Sequence, residues 1–148
     1  MYTITVKTGT VENAGTDSVI SLKLSNRNNE NLEIKNLEFW GAMEPGHDYY
    51  EKGNVDVFTG TAQGFDSPLC FLQLTSDGSN KWPGWYCEYV NVVVSGQNVS
   101  YKQNFRVQQW LALDESPYTL TTLRDNCPSL STDYLKCTTG NVKSTTIA

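Results

Sequence analysis

Hydrophobic and polar residues alternate along most of this chain. The period of two is clearest from Tyr2 to Lys7 and again from Ile20 to Ser25, where every second side chain is apolar. Such a period is typical of strands that bury one face. No sustained apolar stripe occurs at helical spacing. The pattern predicts eight strands, at positions 2–7, 20–25, 32–37, 55–59, 70–74, 85–94, 101–107 and 118–123.

The segments between the predicted strands are rich in turn residues. The stretch Asn26–Asn31 is typical of a hairpin connection, and Gly60–Pro68 is a longer turn region. Many short strands with this spacing indicate an all-β protein, either an antiparallel sandwich or a barrel. The 148 residues are enough for one domain. We expect a folded domain over residues 1–127 and a polar, Ser- and Thr-rich tail over residues 128–148.

Charge and composition narrow the classes of partner. Hydrophobic residues make up 39% of the chain and charged residues 18%, which is ordinary for a globular protein. With 11 basic and 16 acidic residues the formal net charge is −5, which argues against a nucleic-acid partner. No apolar run approaches the length of a membrane-spanning helix. No signal-like stretch follows Met1, so we expect that a targeting segment has been removed.

The cysteines indicate an oxidising compartment. Cys70, Cys87, Cys127 and Cys137 show no CxxC spacing, which argues against a zinc site. Four cysteines permit three disulfide connectivities, and order along the chain favours Cys70 with Cys87 and Cys127 with Cys137. Asn98 begins an Asn-Val-Ser triplet, a candidate glycosylation site. We therefore expect the protein to reside in the secretory pathway, either in the lumen of the endoplasmic reticulum or in the extracellular space.

The sequence offers little for catalysis. His47 is the single histidine, and it lies in the turn-forming segment Pro45–Asp48 rather than in a nucleophile elbow. We interpret it as a solvated loop residue, and we expect no catalytic residues. A minor alternative is a small-ligand pocket or an unrecognised enzyme site around His47, Tyr49 and Tyr50.

Acidic residues recur in the predicted turns. Asp17, Asp48, Glu51 and Asp77 all lie between strands. Calcium takes six to eight oxygen ligands, many of them carboxylates from flexible loops, so these four residues are candidate ligands. The same residue types also favour turns because their side chains cap backbone groups. The pattern is compatible with a calcium site and with ordinary turns.

Tryptophans form two groups. Trp40, followed by the loop that contains Met43, and Trp82 lie in turn-like sequence. The amphipathic indole ring favours membrane–water interfaces, so these residues are candidate membrane or partner contacts. Folding back onto the sandwich is the alternative. Trp85 and Trp110 lie in strand-like sequence, and we expect both in the core.

Several of these segments resemble the PLAT family, the β-sandwich shared by polycystins, lipoxygenases and bacterial alpha-toxins. The matching segments follow the family's order: Tyr2–Gly9, Ala14–Ser18, Glu51–Gly53 with Asp56, Asp77–Gly78, Pro83–Tyr86, Phe105 and Trp110–Leu111. Segments Leu74–Gly78, Gly84–Cys87 and Gln109–Cys127 are similar to small plant proteins that consist of one PLAT domain and are linked to stress responses. Members of that subgroup are typically secretory.

The resemblance implies two four-stranded antiparallel sheets without catalytic residues. It also implies Ca²⁺ as a cofactor, bound by three loops. The ligand positions carried over are Asn13, Gly15 and Asp17, then Asp48 and Glu51, and then Asp77. Membrane-binding relatives place large apolar side chains at the tips of these loops, where Trp82 and the Trp40–Met43 loop stand here. The first loop has Glu12 and Asn13 where lipoxygenase domains show aromatic residues.

Two functions follow as expectations. The first is a non-enzymatic, calcium-assisted module that docks on a lipid or membrane surface. The second is a protein–protein interaction module in the secretory pathway. In both cases we expect a monomer, and the sequence does not specify the lipid or the protein partner.

Overall fold

The computed structural model describes residues 1–96 and 99–128, which form an all-β domain. Every strand that the alternation predicts is present there. One 3₁₀ turn, Leu37–Trp40, begins after the capping residue Asn36, whose side chain accepts a hydrogen bond from the Glu38 amide. The strands are β1 (Tyr2–Thr8), β2 (Ile20–Ser25), β3 (Asn31–Ile34), β4 (Val55–Gly60), β5 (Phe71–Ser76), β6 (Trp85–Ser95), β7 (Ser100–Leu111) and β8 (Thr121–Asp125).

The strands pair into two four-stranded antiparallel sheets. The first sheet has the order β4-β1-β6-β7 and the second the order β3-β2-β5-β8. The predicted sandwich of two four-stranded sheets is therefore confirmed. Because successive strands alternate in direction, the connections that follow β1, β3, β5 and β7 lie at one end, which we call the rim. Backbone hydrogen bonds join these connections, from Gly53 to Gly9 (2.9 Å) and from Asp77 to Val19 (3.0 Å).

The core fills the space between the inner faces of the sheets. In β1 the even-numbered residues point inward, and Ile4 and Val6 are fully buried. Trp85 is fully buried as predicted, and its indole N–H donates to the Thr8 hydroxyl at 2.9 Å. The core position predicted for Trp110 is wrong. Leu111 takes the inward place at this end of β7, so the period of two leaves Trp110 half-buried on the outer face.

The disulfide differs from the expected pairing. Cys70 bonds to Cys127, which ties the start of β5 to the chain after β8. The pairings of Cys70 with Cys87 and of Cys127 with Cys137 are both wrong. Cys87 points into the core from β6, in the other sheet, and its thiol is free. Pairing the cysteines by their order along the chain failed because β5 and β8 are neighbours in the second sheet although they are far apart in sequence.

Some expectations lie outside the described residues. These are the glycosylation candidate Asn98, the cysteine Cys137 and the tail from residue 129 onward. Among residues 1–96 and 99–128, no helix has both the length and the apolar character needed to cross a membrane.

Candidate functional site

Three carboxylates from two separate connections meet at the rim. One oxygen from each of Asp17, Asp48 and Glu51 lies within 4.8 Å of the other two. We call this group the acidic triad. Asp17 and Asp48 are exposed and Glu51 is half-buried. Like charges at this separation repel one another, and a divalent cation held between them would remove that repulsion.

A glycine lets the two connections approach closely. The Thr16 amide donates to the Tyr50 carbonyl at 3.1 Å, directly between the two halves of the acidic triad. A Cβ placed on Gly15 would come within 3.0 Å of the Tyr50 oxygen and 3.2 Å of the Lys52 nitrogen. Any larger residue would therefore push Asp17 away from Glu51. The role that the structure supports for Gly15 is steric.

A buried carboxylate anchors the connection that carries Asp48 and Glu51. Asp56, on β4, is fully buried, and its Oδ2 accepts a hydrogen bond from the Tyr50 amide at 2.8 Å. Its Oδ1 lies 2.6 Å from Nε2 of His47, and the other ring nitrogen lies 3.0 Å from Oε2 of Glu44. Since the His47 side chain is only 12% exposed, its interpretation as a solvated loop residue is wrong. The hydrogen bond to Asp56, and then that to Glu44, raises the pKa of His47.

Electrostatics mark the acidic triad as a place of crowded negative charge. Burial raises the pKa of Glu51, and the charges of Asp48 and Asp17 raise it further. Burial and the same two neighbours also raise the pKa of Glu38 in the 3₁₀ turn. Sequence reasoning missed Glu38. The available signal was its position two residues before Trp40, in a loop that the resemblance marks as part of the site.

The structure does not bring Asp77 into the acidic triad. Its Oδ1 accepts hydrogen bonds from the Val19 amide at 3.0 Å and from the Ser79 amide and hydroxyl at 2.9 and 2.6 Å. The Ser79 hydroxyl lowers the pKa of Asp77. This carboxylate holds the β5–β6 connection against the start of β2. Asn80 assists, because its side chain donates to the Asp17 carbonyl at 2.7 Å.

The three predicted contact residues have different surroundings. Trp82 is 82% exposed in a left-handed backbone conformation (φ +56°). Trp40 instead packs on the core, where a Cβ on Gly60 would come within 2.5 Å of its indole ring. The prediction that Trp40 is an outward contact is wrong, and its alternative, folding back onto the sandwich, is observed. The 3₁₀ turn directs Trp40 inward and leaves Phe39 85% exposed. Met43 is half-buried, and its amide donates to the Tyr49 hydroxyl at 3.1 Å.

An open cavity of about 520 Å³ lies beside the acidic triad. We call it the rim cavity. Its lining includes Asp17 and Glu51 of the triad, the exposed Trp82 and the lysines Lys52 and Lys81. Asn13 and Gly15 line it too, and Asn13 has a left-handed backbone (φ +63°). Carboxylates with nearby loop carbonyls are the hard oxygen donors that Ca²⁺ prefers, so these residues fit that ion.

Comparison with known proteins decides the family. A family model described as the PLAT/LH2 domain matches residues 2–124. The chain belongs to the PLAT/LH2 domain family. This PLAT domain is 45% identical to PLAT domain-containing protein 1 of Arabidopsis thaliana over 130 residues, 86% of this chain and 72% of that protein. It is 49% identical to PLAT domain-containing protein 2 of the same plant over 131 residues, 86% of this chain and 71% of that protein.

Solved structures agree on the PLAT fold. A coral 8R-lipoxygenase superposes with a TM-score of 0.59 and 23% identity over 94% of this chain. The alpha toxin of Clostridium absonum superposes with a TM-score of 0.54 and 16% identity over 84% of this chain. The PLAT domain spans only 20% of the lipoxygenase chain and 30% of the toxin chain. At such identities these structures establish the fold alone.

Proposed function

We propose that this PLAT domain is a non-enzymatic module that docks on lipid surfaces with the help of calcium at its rim. The observation that carries the proposal is the acidic triad of Asp17, Asp48 and Glu51, which opens into a cavity lined by the exposed Trp82. A cation site and an apolar anchor thus face the same side of the molecule. Peripheral binding needs both contributions, because either one alone is weak.

Calcium would supply the electrostatic contribution. The triad brings three carboxylates together, and the pKa of Glu51 is raised first by burial and then by the charges of Asp48 and Asp17. Bound Ca²⁺ would offset two of the three negative charges of the triad. Because it takes six to eight oxygen ligands, it would also keep coordination positions for lipid phosphate oxygens. Lys52 and Lys81 line the same cavity and would donate to the phosphate.

Two exposed aromatic residues would supply the apolar contribution. Trp82 borders the rim cavity. Phe39 is 85% exposed and lies on the 3₁₀ turn in the β3–β4 connection, which also carries Asp48 and Glu51. Aromatic rings at loop tips are suited to the interface between head groups and acyl chains. Neither ring contributes to the core, so their exposure needs another explanation than folding.

The related structures support calcium as the ion. The coral 8R-lipoxygenase structure is described as showing calcium activation through a C2-like domain. Another similar structure is that of a calcium-dependent 11R-lipoxygenase, with a TM-score of 0.54 and 21% identity. For this protein we extend the proposal to the secretory pathway. The Cys70–Cys127 disulfide is compatible with it, since such bonds persist in oxidising compartments.

Co-sedimentation with anionic phospholipid vesicles tests the proposal. We expect the wild type to bind in calcium and to stay in the supernatant in chelator. Asp48→Asn should abolish this binding, because it removes a charge from the acidic triad. Trp82→Ala should weaken binding about tenfold while the calcium-induced rise in Tm remains, since burying an indole contributes more than 1 kcal/mol. Asp66→Asn, at the opposite end, and the exposed Leu123→Ala, on the second sheet, are matched controls that should bind normally.

The outcomes separate the alternatives. Equal vesicle binding in calcium and in chelator would refute the calcium contribution. A calcium-induced rise in Tm without any vesicle binding would instead favour a protein partner at the rim. In that case the exposed Trp82 would be the anchor to test by pull-down from the native source.

A further inference from the structure

The outer face of the first sheet carries three basic residues that form no salt bridge with another described residue. The strand register places Lys7, Tyr89 and Arg106 side by side on three adjacent strands. Lys102 lies further along the same face, opposite Val93. Both salt bridges recorded among the described residues involve His47. The three cations on this face are therefore unpaired within that part of the chain, although the whole protein is acidic.

Amide and hydroxyl groups fill the next row of this face. Thr5, Asn91 and Asn104 lie opposite one another on β1, β6 and β7. Side chains directly opposite on neighbouring strands have Cβ atoms about 5 Å apart, so these groups form a continuous polar row beside Tyr89. Asn104 is exposed and Asn91 half-buried. Both amides are available to donate and accept hydrogen bonds outward.

Aromatic rings extend the row of cations toward the rim. A Cβ on Gly9 would come within 2.5 to 3.3 Å of three ring atoms of Tyr86, so this ring lies against the backbone of the first sheet. Trp110 meets Tyr86 edge-on, with centroids 5.6 Å apart and an angle of 84°. The two rings hold each other in place, and both remain half-exposed.

A shallow cavity of about 250 Å³ forms on β6 and β7, where both strands carry an irregularity. Tyr89, Asn91, Asn104 and Arg106 line it. Glu88 lines it as well, and its carboxylate accepts from the Gln108 amide at 3.4 Å. Gln108 has a left-handed backbone (φ +48°), consistent with a bulge in β7.

We propose that this face binds an acidic polysaccharide made of uronate sugars. Sugar rings present apolar C–H faces that stack on aromatic rings, which Tyr86, Tyr89 and Trp110 provide. Their carboxylates suit the guanidinium of Arg106 and the ammonium of Lys7. Their hydroxyl groups suit the remaining amides and the Glu88 carboxylate. The flat, extended arrangement fits a ribbon-like polymer.

Other anionic partners fit this face less well. A lipid surface calls for protruding apolar side chains, whereas the aromatic rings of this face are half-buried against the sheet. A nucleic acid calls for denser positive charge than three cations on a protein of net charge −5. An acidic peptide would pair with the basic residues but would leave the aromatic rings and the row of amides without binding partners.

Binding measured by calorimetry in chelator tests the inference separately from calcium at the rim. We expect the wild type to bind polygalacturonate and to bind its fully methyl-esterified form at least about tenfold more weakly, since esterification removes the charge. Tyr89→Ala and Arg106→Gln should each weaken binding about tenfold, and Arg106→Gln should also reduce the dependence on salt. Lys23→Gln, on the outer face of the second sheet, and Trp82→Ala, at the rim, are controls that should bind normally.

Three results would overturn the inference. The first is the absence of polygalacturonate binding by the wild type. The second is equal binding of polyglutamate, which would mean that charge alone is recognised. The third is loss of the calcium-dependent binding to anionic vesicles in Arg106→Gln, which would make the face part of a lipid-binding surface. Melting curves of the variants should match that of the wild type, because none of the substituted side chains belongs to the buried core.

Discussion

At the scale of single residues, a buried ionisable group organises the rim. Asp56 holds the Tyr50 amide and the His47 ring at once, and so fixes the connection that carries Asp48 and Glu51. A buried carboxylate without these donors would cost several kcal/mol. The sequence could not reveal this arrangement. Asp56 shares the inward face of β4 with Phe58, and nothing local shows that His47 folds back over it.

The His47 contact predicts a pH dependence of stability. The folded-state pKa of His47 is raised above its usual 6.5, so its contribution is complete below pH 6.5 and is lost as the pH rises through the raised value. We expect urea unfolding in chelator to show declining stability above about pH 6.5. His47→Gln should be less stable at low pH and should lose this decline.

A control distinguishes the two carboxylates. Glu44→Gln removes the lesser contact and keeps the one with Asp56, so it should retain most of the pH dependence. A His47→Gln variant with the same pH profile as the wild type would contradict the assigned role of the imidazolium.

At the scale of elements, alternation predicted the strands well and the connections poorly. A period of two reports which face of a strand is buried, which is a local property of β1 or β2. It does not report where a strand gives way to another structure. The third strand was expected to reach Leu37, but it ends at Ile34. Leu37 instead begins the 3₁₀ turn, which buries Leu37 and packs Trp40 on the core. The Asn36 side chain accepts a hydrogen bond from the Glu38 amide, and this local bond favours the 3₁₀ turn over continuation of the strand.

The disulfide should contribute strongly to the stability of the second sheet. Cys70 and Cys127 are separated by 57 residues, and closing a loop of that length in the unfolded chain is worth about 4 kcal/mol. We expect the double variant Cys70→Ser and Cys127→Ser to lose about that much free energy of unfolding in urea. Reduction of the wild type should lower its free energy of unfolding by a similar amount. The Cys87→Ala variant keeps the disulfide, so reductant should destabilise it as it destabilises the wild type.

An unchanged denaturation midpoint in the double variant would contradict this prediction. It would mean that other contacts hold the end of β8. Arg124 is the main candidate, because its guanidinium donates to the carbonyls of Arg106 and Val107 at 2.9 and 2.6 Å and so joins the edges of the two sheets.

At the scale of the whole molecule, charge is distributed unevenly. The rim concentrates carboxylates, while the outer face of the first sheet presents basic residues without a salt bridge to any described residue. A protein that keeps repelling charges together loses stability, and function is the usual reason for such a cost. We propose different ligands for the two surfaces, and the two proposals can be tested independently.

Neutralising Glu51 in the acidic triad should stabilise the protein in chelator and remove its stabilisation by calcium. The folded-state pKa of Glu51 is raised, so its charge opposes folding in the absence of calcium. We expect Glu51→Gln to raise the Tm in chelator by up to about 4 °C, since such surface interactions contribute at most about 1 kcal/mol. The same variant should lose the calcium-induced rise in Tm.

The matched control for this prediction is Asp66→Asn, which removes one charge at the opposite end. It should change neither the Tm in chelator nor the response to calcium. A fall in the chelator Tm of Glu51→Gln would show that this carboxylate stabilises the fold, and the acidic triad would then be structural.

The sequence by itself determined the strands, the sandwich class and the loops in which the site would lie. Alternation and turn residues act between near neighbours, so they can be read directly from the chain. Tertiary structure decided which distant residues meet: it joined Asp17 to Asp48 and Glu51, kept Asp77 in its own turn and paired Cys70 with Cys127. Those outcomes depend on strand order, sheet register and the close approach at Gly15, which arise only when the two sheets pack together.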